Sequence, residues 1–349
     1  MGGSLLYSNV VFRYVHCLSP DSLASSLSIA TIGCLLLTVL RPQRSWGWWL
    51  LLGASIFITY QLRPVYLFLV PLAPVLGFAL WWLSPGRIAE RRAGRALVAR
   101  LTLVAALPLL LFCTSRWLLV GEISLVSFGG NNFAGVVSCS LDEHVAQQLP
   151  DRVRPLADAV LQRRREIAER DPNYAGEVTR SYAQIESRFN IETWEVCVPA
   201  ARQLYGDDWP QVNRSLAQLA LAIVRAQPVD YGSWLAKAFV RGVYMITSEF
   251  VANPIYLAVL ACLALFHARC VVLRRSRGDY QLDGKDYYLQ INALWLIAIG
   301  FAITTILTVI ITSPPLGRFM DPGGVFVIAV AVRALLQRIE LGRKLSRAG

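Results

Sequence analysis

Six stretches of this chain are long and apolar enough to fill the hydrocarbon layer of a bilayer, and whatever fold it adopts must give them non-aqueous surroundings. They run over residues 23–40, 46–62, 65–83, 101–120, 251–268 and 289–312. A spanning helix needs about 20 mostly apolar residues, with a range of roughly 17 to 25. A seventh stretch, 325–336, is shorter and contains Arg333, so it spans only if that guanidinium reaches the nearby interface. Composition agrees: 55% of residues are hydrophobic and 16% charged, with mean hydropathy +0.46, whereas soluble domains are about 25% charged. This argues against a cytosolic enzyme and against a disordered chain. The predicted class is an all-α polytopic membrane protein.

The charge distribution supplies a topology. There are 34 Lys+Arg against 23 Asp+Glu, but residues 121–250 hold sixteen acids and thirteen bases, so the excess of bases lies wholly in the apolar parts. A nucleic-acid surface would instead gather Lys and Arg on a soluble domain, so no nucleic-acid partner is expected. Arg41 and Arg44 follow the first stretch, Arg87 to Arg100 the third, and Arg269 to Lys285 the fifth. Arg333, Arg338, Arg343, Lys344 and Arg347 close the chain. Bases are retained on the cytoplasmic side, which predicts seven spans in an inner (plasma) membrane, with the N-terminus outside and the C-terminus in the cytoplasm. Residues 1–120 then form four spans, 121–250 an extracytoplasmic helical domain, and 251–349 the last spans and a basic tail. The opening segment has no basic region before an apolar core and is not a signal peptide. The first span is rich in serine (Ser25, Ser26, Ser28) and is a weak insertion signal.

Apolar residues recur at three- and four-residue spacing over 142–170, 194–205 and 212–226, with Asp171-Pro172, Asp207-Asp208-Trp209-Pro210 and Gln227-Pro228 as breaks. Over 234–250, Leu235, Phe239, Val243, Ile246 and Phe250 make one stripe, which suits either a helix lying in the membrane interface or one docking on the outside domain. The cysteines show no metal spacing and the three histidines are scattered, so no metal site is predicted. Cys139 and Cys197, the only two in the outside domain, are a disulfide candidate in an oxidising compartment.

Four short elements hold the residues with chemical potential. Asp21 is either a helix N-cap or a weak candidate for a catalytic carboxylate. Arg63, in the turn before Pro64, is either an interfacial anchor or a bidentate phosphate holder. Arg318 and Asp321 either pair with each other or contact phosphate and sugar. Asn131 and Asn132, in the Gly129-Gly130-Asn131-Asn132 run, either belong to a plain turn or offer amides to sugar hydroxyls.

The ordered segments LSPDSLASSLSIATIGCLLLTVLRPQ, WGWWLLLGASIFITYQLRPVYLFLVPLAPVLG, YGSWLAKAFVRGVY and SPPLGRFMDPGGVFVIAVAV resemble the later part of GT-C class polytopic glycosyltransferases. The chain resembles the dolichyl-phosphate-mannose protein mannosyltransferases and the bacterial aminoarabinose transferases of that class. The matching features are Ser19/Asp21, Arg63-Pro64, the helix over 234–250, and Arg318-Phe319 with Pro322. The resemblance implies transfer of a sugar from a polyprenyl-phosphate donor to a cell-envelope acceptor outside the membrane, with Arg63 and Arg318 holding phosphate and a divalent metal as an optional cofactor. Members of the family carry their catalytic acid in an outer loop after an N-terminal span, and this chain has no span before Asp21. The expectation is therefore that further helices belong upstream or come from a partner subunit. The other reading is a non-catalytic membrane protein whose outside domain binds a partner or a glycan.

Overall fold

The computed structural model describes residues 20–40, 45–83, 91–121, 123, 129–171, 174, 178–251, 253–277 and 284–347. Among the described residues there are helices and no strand, as the expected all-α class requires. Ser19, Arg41, Arg44, Arg87 and Phe128 lie outside them, as do the side chains of Arg318 and Asp321.

In chain order the helices are α1 (Pro20–Leu40), α2 (Trp46–Leu62), a 3-10 turn (Pro64–Phe68), α3 (Leu69–Trp82), α4 (Arg91–Val120), α5 (Gly129–Val137), α6 (Glu143–Gln148), α7 (Arg154–Arg170) and α8 (Tyr182–Ile191). A π-helical turn (Glu192–Cys197) leads into α9 (Val198–Tyr205), followed by α10 (Trp209–Ala226), α11 (Pro228–Val251), α12 (Pro254–Arg277), α13 (Gly284–Ile310), the short α14 (Gly317–Met320) and α15 (Val325–Arg347).

Five segments are long and apolar enough to cross a membrane: Pro20–Val39, Pro64–Trp82, Ala93–Val120, Pro254–Val272 and Ile291–Ile310. The two remaining expected spans form helices that fall short of that standard. α2 has 17 residues, and α15 mixes its apolar half with a basic one. In α12 only 6% of the apolar window is buried by protein, and in α4 17%. Surface of that kind is stable only against hydrocarbon, since soluble proteins rarely expose contiguous apolar patches beyond a few hundred Å². Five helices that could cross a membrane point to a membrane location for the chain.

It divides into two compact units. The membrane unit comprises residues 1–112, 244–306 and 317–349. Here α1 packs on α2 and α3, and α12 packs on α15. Between lipid-bathed helices there is little hydrophobic drive to associate, so close approach at small residues carries the packing. Gly77 of α3 is one such point, because a Cβ there would lie 2.1 Å from Leu101 Cδ1 of α4. An edge-on aromatic chain ties the remaining helices. Phe68 meets Phe301 of α13 at 5.1 Å between centroids, and Phe301 meets Phe326 of α15 at 4.9 Å.

The second unit comprises residues 113–243 and 307–316. Two of its helices begin at aspartate caps: Asp142 accepts from the Val145 N–H at 2.7 Å, and Asp208 from the Gln211 N–H at 3.3 Å. The periodicity over 142–170 is one helix in expectation and two in fact, α6 and α7, because Leu149-Pro150 ends the first. The Gly/Asn run is not a turn but the opening of α5, which packs tightly on α10: a Cβ on Gly130 would lie 2.1 Å from the Asn213 carbonyl oxygen.

At the centre of this unit a salt bridge is buried. Arg164 meets Glu192 at 3.3 Å, with side chains 3% and 0% exposed. Arg164 also donates to the carbonyls of Leu141 (2.9 Å) and Ser138 (2.6 Å), and Tyr174 donates to Glu192 at 2.6 Å. Burial is the largest influence and works against the charge on Arg164, but Glu192 and smaller contributions from Cys139, Tyr174 and Cys197 together outweigh it and leave the pKa raised.

The stripe on α11 is offset from expectation. The buried line is Trp234, Ala238, Gly242 and Ile246, while Leu235 and Phe239 are half-buried and Val243 is exposed. Its first turns dock rather than float: Trp234 Nε1 donates to the Ile310 carbonyl at 3.2 Å, and the Tyr231 hydroxyl to the Ile311 carbonyl at 2.8 Å.

Candidate functional site in the membrane unit

Pro64 is where the site begins. A residue before proline is driven from the helical region, and Arg63 accordingly takes φ −147°, ψ 110° and ends α2. Pro64 then opens the 3-10 turn that leads into α3. The break directs the Arg63 side chain onto α1, where its Nε and one terminal nitrogen both donate to Asp21 Oδ1. Asp21 lies inside the first turn of α1 rather than at its cap, where the helix dipole favours a carboxylate. The pair is mostly shielded, with 24% of the Arg63 side chain and 12% of the Asp21 side chain exposed. On its other side the guanidinium carbon stands 5.9 Å from the centroid of the Phe319 ring, a cation–π distance.

Three segments that the sequence singled out separately thus meet: the start of α1, the Arg63-Pro64 turn, and the Arg318-Phe319 element in α14. Phe319, rather than an acid of its own loop, is the described contact from that last segment.

A polar seam continues inward. Asp21, Ser25, Ser28 and Thr31 recur at the spacing of one helix face. Ser25, Ser28 and Thr31 are buried at 0%, 0% and 2% exposure. Ser28 donates to the Ser25 carbonyl, Thr31 meets Thr59 of α2 at 3.5 Å, and the buried Tyr66 ring of the 3-10 turn brings its hydroxyl beside Ser25 and Ser28. That hydroxyl makes no hydrogen bond of normal geometry, and neither does the buried Gln61 Nε2. Of the serines that weaken α1 as an insertion signal, Ser25 and Ser28 are therefore enclosed by protein, while Ser26 is half-buried. Their spacing with Asp21 was the signal available in the sequence.

Other expected site residues lie elsewhere. Asn131 is fully buried inside the second unit, with neither end of its amide hydrogen-bonded, and Asn132 is half-buried on α5, so Asn131 has no face toward an external sugar. Cys139 and Cys197 are free thiols, not a disulfide. Cys139 Sγ donates to the Gly135 carbonyl at 3.6 Å and Cys197 Sγ to Ser138 Oγ at 3.4 Å. Burial first, and Glu192 second, raises both thiol pKa values, that of Cys197 to about 12. Among the described residues no group of three or more His, Cys, Asp or Glu converges as a metal site would.

Against known proteins the chain stands apart: no protein-family profile, curated protein or solved structure matches it. Its class is therefore defined by fold and site alone, as an all-α protein with five helices that could cross a membrane and a shielded carboxylate–guanidinium pair at the start of α1.

Proposed function

We propose that this protein is a GT-C-like membrane glycosyltransferase, or the later portion of one, that moves a sugar from a polyprenyl-phosphate donor to a cell-envelope acceptor. The observation that carries the reading is the meeting of Asp21, Arg63 and Phe319 from three distant segments. Glycosyl transfer of this kind needs a carboxylate to take a proton and a cation to hold phosphate, both near one anomeric carbon. In the proposed step the acceptor hydroxyl oxygen bonds to the anomeric carbon as the carbon–oxygen bond to phosphate breaks. The hydroxyl proton passes to Asp21, and the departing polyprenyl phosphate is held by Arg63 and by Arg318 of α14. Arg63 must loosen from Asp21 as donor phosphate arrives, which leaves the carboxylate to serve as base.

The same reading puts seven spans in the inner membrane, residues 121–250 outside and the C-terminus in the cytoplasm.

The test is release of polyprenyl phosphate from polyprenyl-phosphate sugars by membranes carrying the full chain. Asp21→Asn and Arg63→Ala are each expected to lower the rate by about a hundredfold or more, and Arg318→Ala also lowers it. The doubly exchanged variant Asp21→Arg/Arg63→Asp re-forms the ion pair but stays inactive. An Asp21→Asn protein with the parent rate would sink the assignment. Recovery in the exchanged pair would reduce the contact to a clasp between helices.

A further inference from the structure

We infer that a cleft in the second unit, between the end of α5 and the junction of α10 with α11, binds the edge of a neutral carbohydrate. The cleft is lined by Ser140, Arg180, Gln227, Asp230, Tyr231 and Trp234 over an apolar floor. It is narrow: it encloses about 380 Å³ including its open mouth, and the centre of a water-sized group can range over about 30 Å³ of it. A whole oligosaccharide cannot be engulfed there, but one side of a terminal pyranose or furanose ring can enter while the rest stays in solvent.

The class of ligand follows from what the lining groups have already spent. The two aromatic residues have used their polar ends: the Tyr231 hydroxyl and Trp234 Nε1 donate to the Ile311 and Ile310 carbonyls. The half-buried Tyr231 keeps ring surface that suits the C–H face of a sugar, while the buried Trp234 backs the floor. Trp234 is also locked by stacking on Tyr182, with centroids 5.0 Å apart and planes at 20°. Gln227 caps the end of α10, and its side-chain oxygen is buried with no hydrogen-bond partner, a cost that a ligand donor would remove. Ser140 has given its proton to the Val137 carbonyl at 2.8 Å, so its oxygen can only accept. Asp230 accepts from Arg180 at 2.8 Å, and 31% of its side chain remains exposed.

The wall is thus rich in acceptors, with Arg180 as its charged donor. An anion would meet the Asp230 carboxylate and the Gln227 oxygen. A purely apolar ligand would leave that oxygen unsatisfied. Adjacent hydroxyls, which donate to Asp230 and Gln227 and accept from Arg180, match all three groups.

This site lies in a different unit from the Asp21–Arg63 pair and does not depend on the transfer reaction. It is read by binding alone, so either proposal can fail while the other stands. Saturation-transfer NMR on the full chain in nanodiscs, with the methyl glycosides of mannose, glucose, galactose and arabinose as probes, tests it. At least one probe is expected to saturate with Kd near about 1 mM. Asp230→Asn and Gln227→Leu each weaken it by about tenfold, and Arg152→Ala, in a separate groove of the same unit, leaves it unchanged. Far-ultraviolet circular dichroism checks that the variants are folded, and Gln227→Leu carries the test should Asp230→Asn unfold. The inference is overturned by no saturable signal from any of the four, by equal binding in the parent and both cleft variants, or by binding of glucosamine or glucuronate alone.

Discussion

Residue by residue, the chemistry here is governed by which polar groups are taken out of water and what meets them. In the membrane unit, Arg63 finds Asp21 and a ring face. In the second unit, Arg164 is held by two carbonyls and Glu192, which receives the Tyr174 hydroxyl in turn. Buried thiols and phenols of the second unit are held protonated. Burial, then Glu192, raises Cys197 to about 12, and burial raises Tyr231 to about 12. Both are acids whose folded pKa exceeds the unfolded value, near about 8.5 for cysteine and about 10 for tyrosine. Below those values both states bind the proton and stability is unaffected. Above them the unfolded state has lost protons that the folded state keeps, so stability falls as pH rises. The melting temperature of the full chain in detergent is predicted to hold steady to about pH 8.5 and to decline from there towards pH 12. Cys197→Ala should make that decline shallower between about pH 8.5 and pH 10, before tyrosine titrates. An unchanged slope in the variant would remove Cys197 from the account.

Among elements, it is close approach that decides. α5 lies on α10 because Gly130 has no Cβ: one would sit 2.1 Å from the Asn213 carbonyl oxygen and 2.9 Å from the Ala217 backbone nitrogen. The Gly130 N–H also donates to Asn213 Oδ1 at 2.7 Å. Backbone atoms cannot swing aside as a flexible side chain can. Gly130→Ala is predicted to cost about 1–3 kcal/mol, whereas Gly232→Ala, on α11 with nothing within 4 Å of its Cβ position, should be neutral or slightly stabilising. Thermal unfolding of the two variants side by side checks this, and equal melting temperatures would refute the packing argument. Helix existence was largely legible in the periodicity, and α10 starts near where 212–226 was expected. α8 was not foreseen, because Tyr182–Ile191 lacks a sustained apolar stripe. The offset of α11 also escaped, since Ala238 and Gly242 are buried for their smallness rather than for their hydrophobicity.

For the whole molecule, the distribution of arginines predicts a topology that can be measured. In a background with all native cysteines replaced, Gln218→Cys on α10 is expected to react with a membrane-impermeant maleimide in intact cells. Arg95→Cys on α4 should react only after permeabilisation, and the opposite pattern would invert the orientation. What the sequence determined by itself is the class of solvent around each segment and the helical state of the chain. In hydrocarbon every backbone N–H and C=O must be satisfied within the segment, so an apolar run of sufficient length implies a helix whatever its neighbours. What only the tertiary structure decided is which polar side chains meet. Nothing in the local pattern says that Asp21 pairs with Arg63, 42 residues away, that Glu192 pairs with Arg164, 28 residues away, or that Asn131 turns into a core. Such pairings depend on the rotation and register of one helix against another. Those are set by small residues and by aromatic contacts such as Phe68–Phe301–Phe326, which leave no periodic trace along the chain.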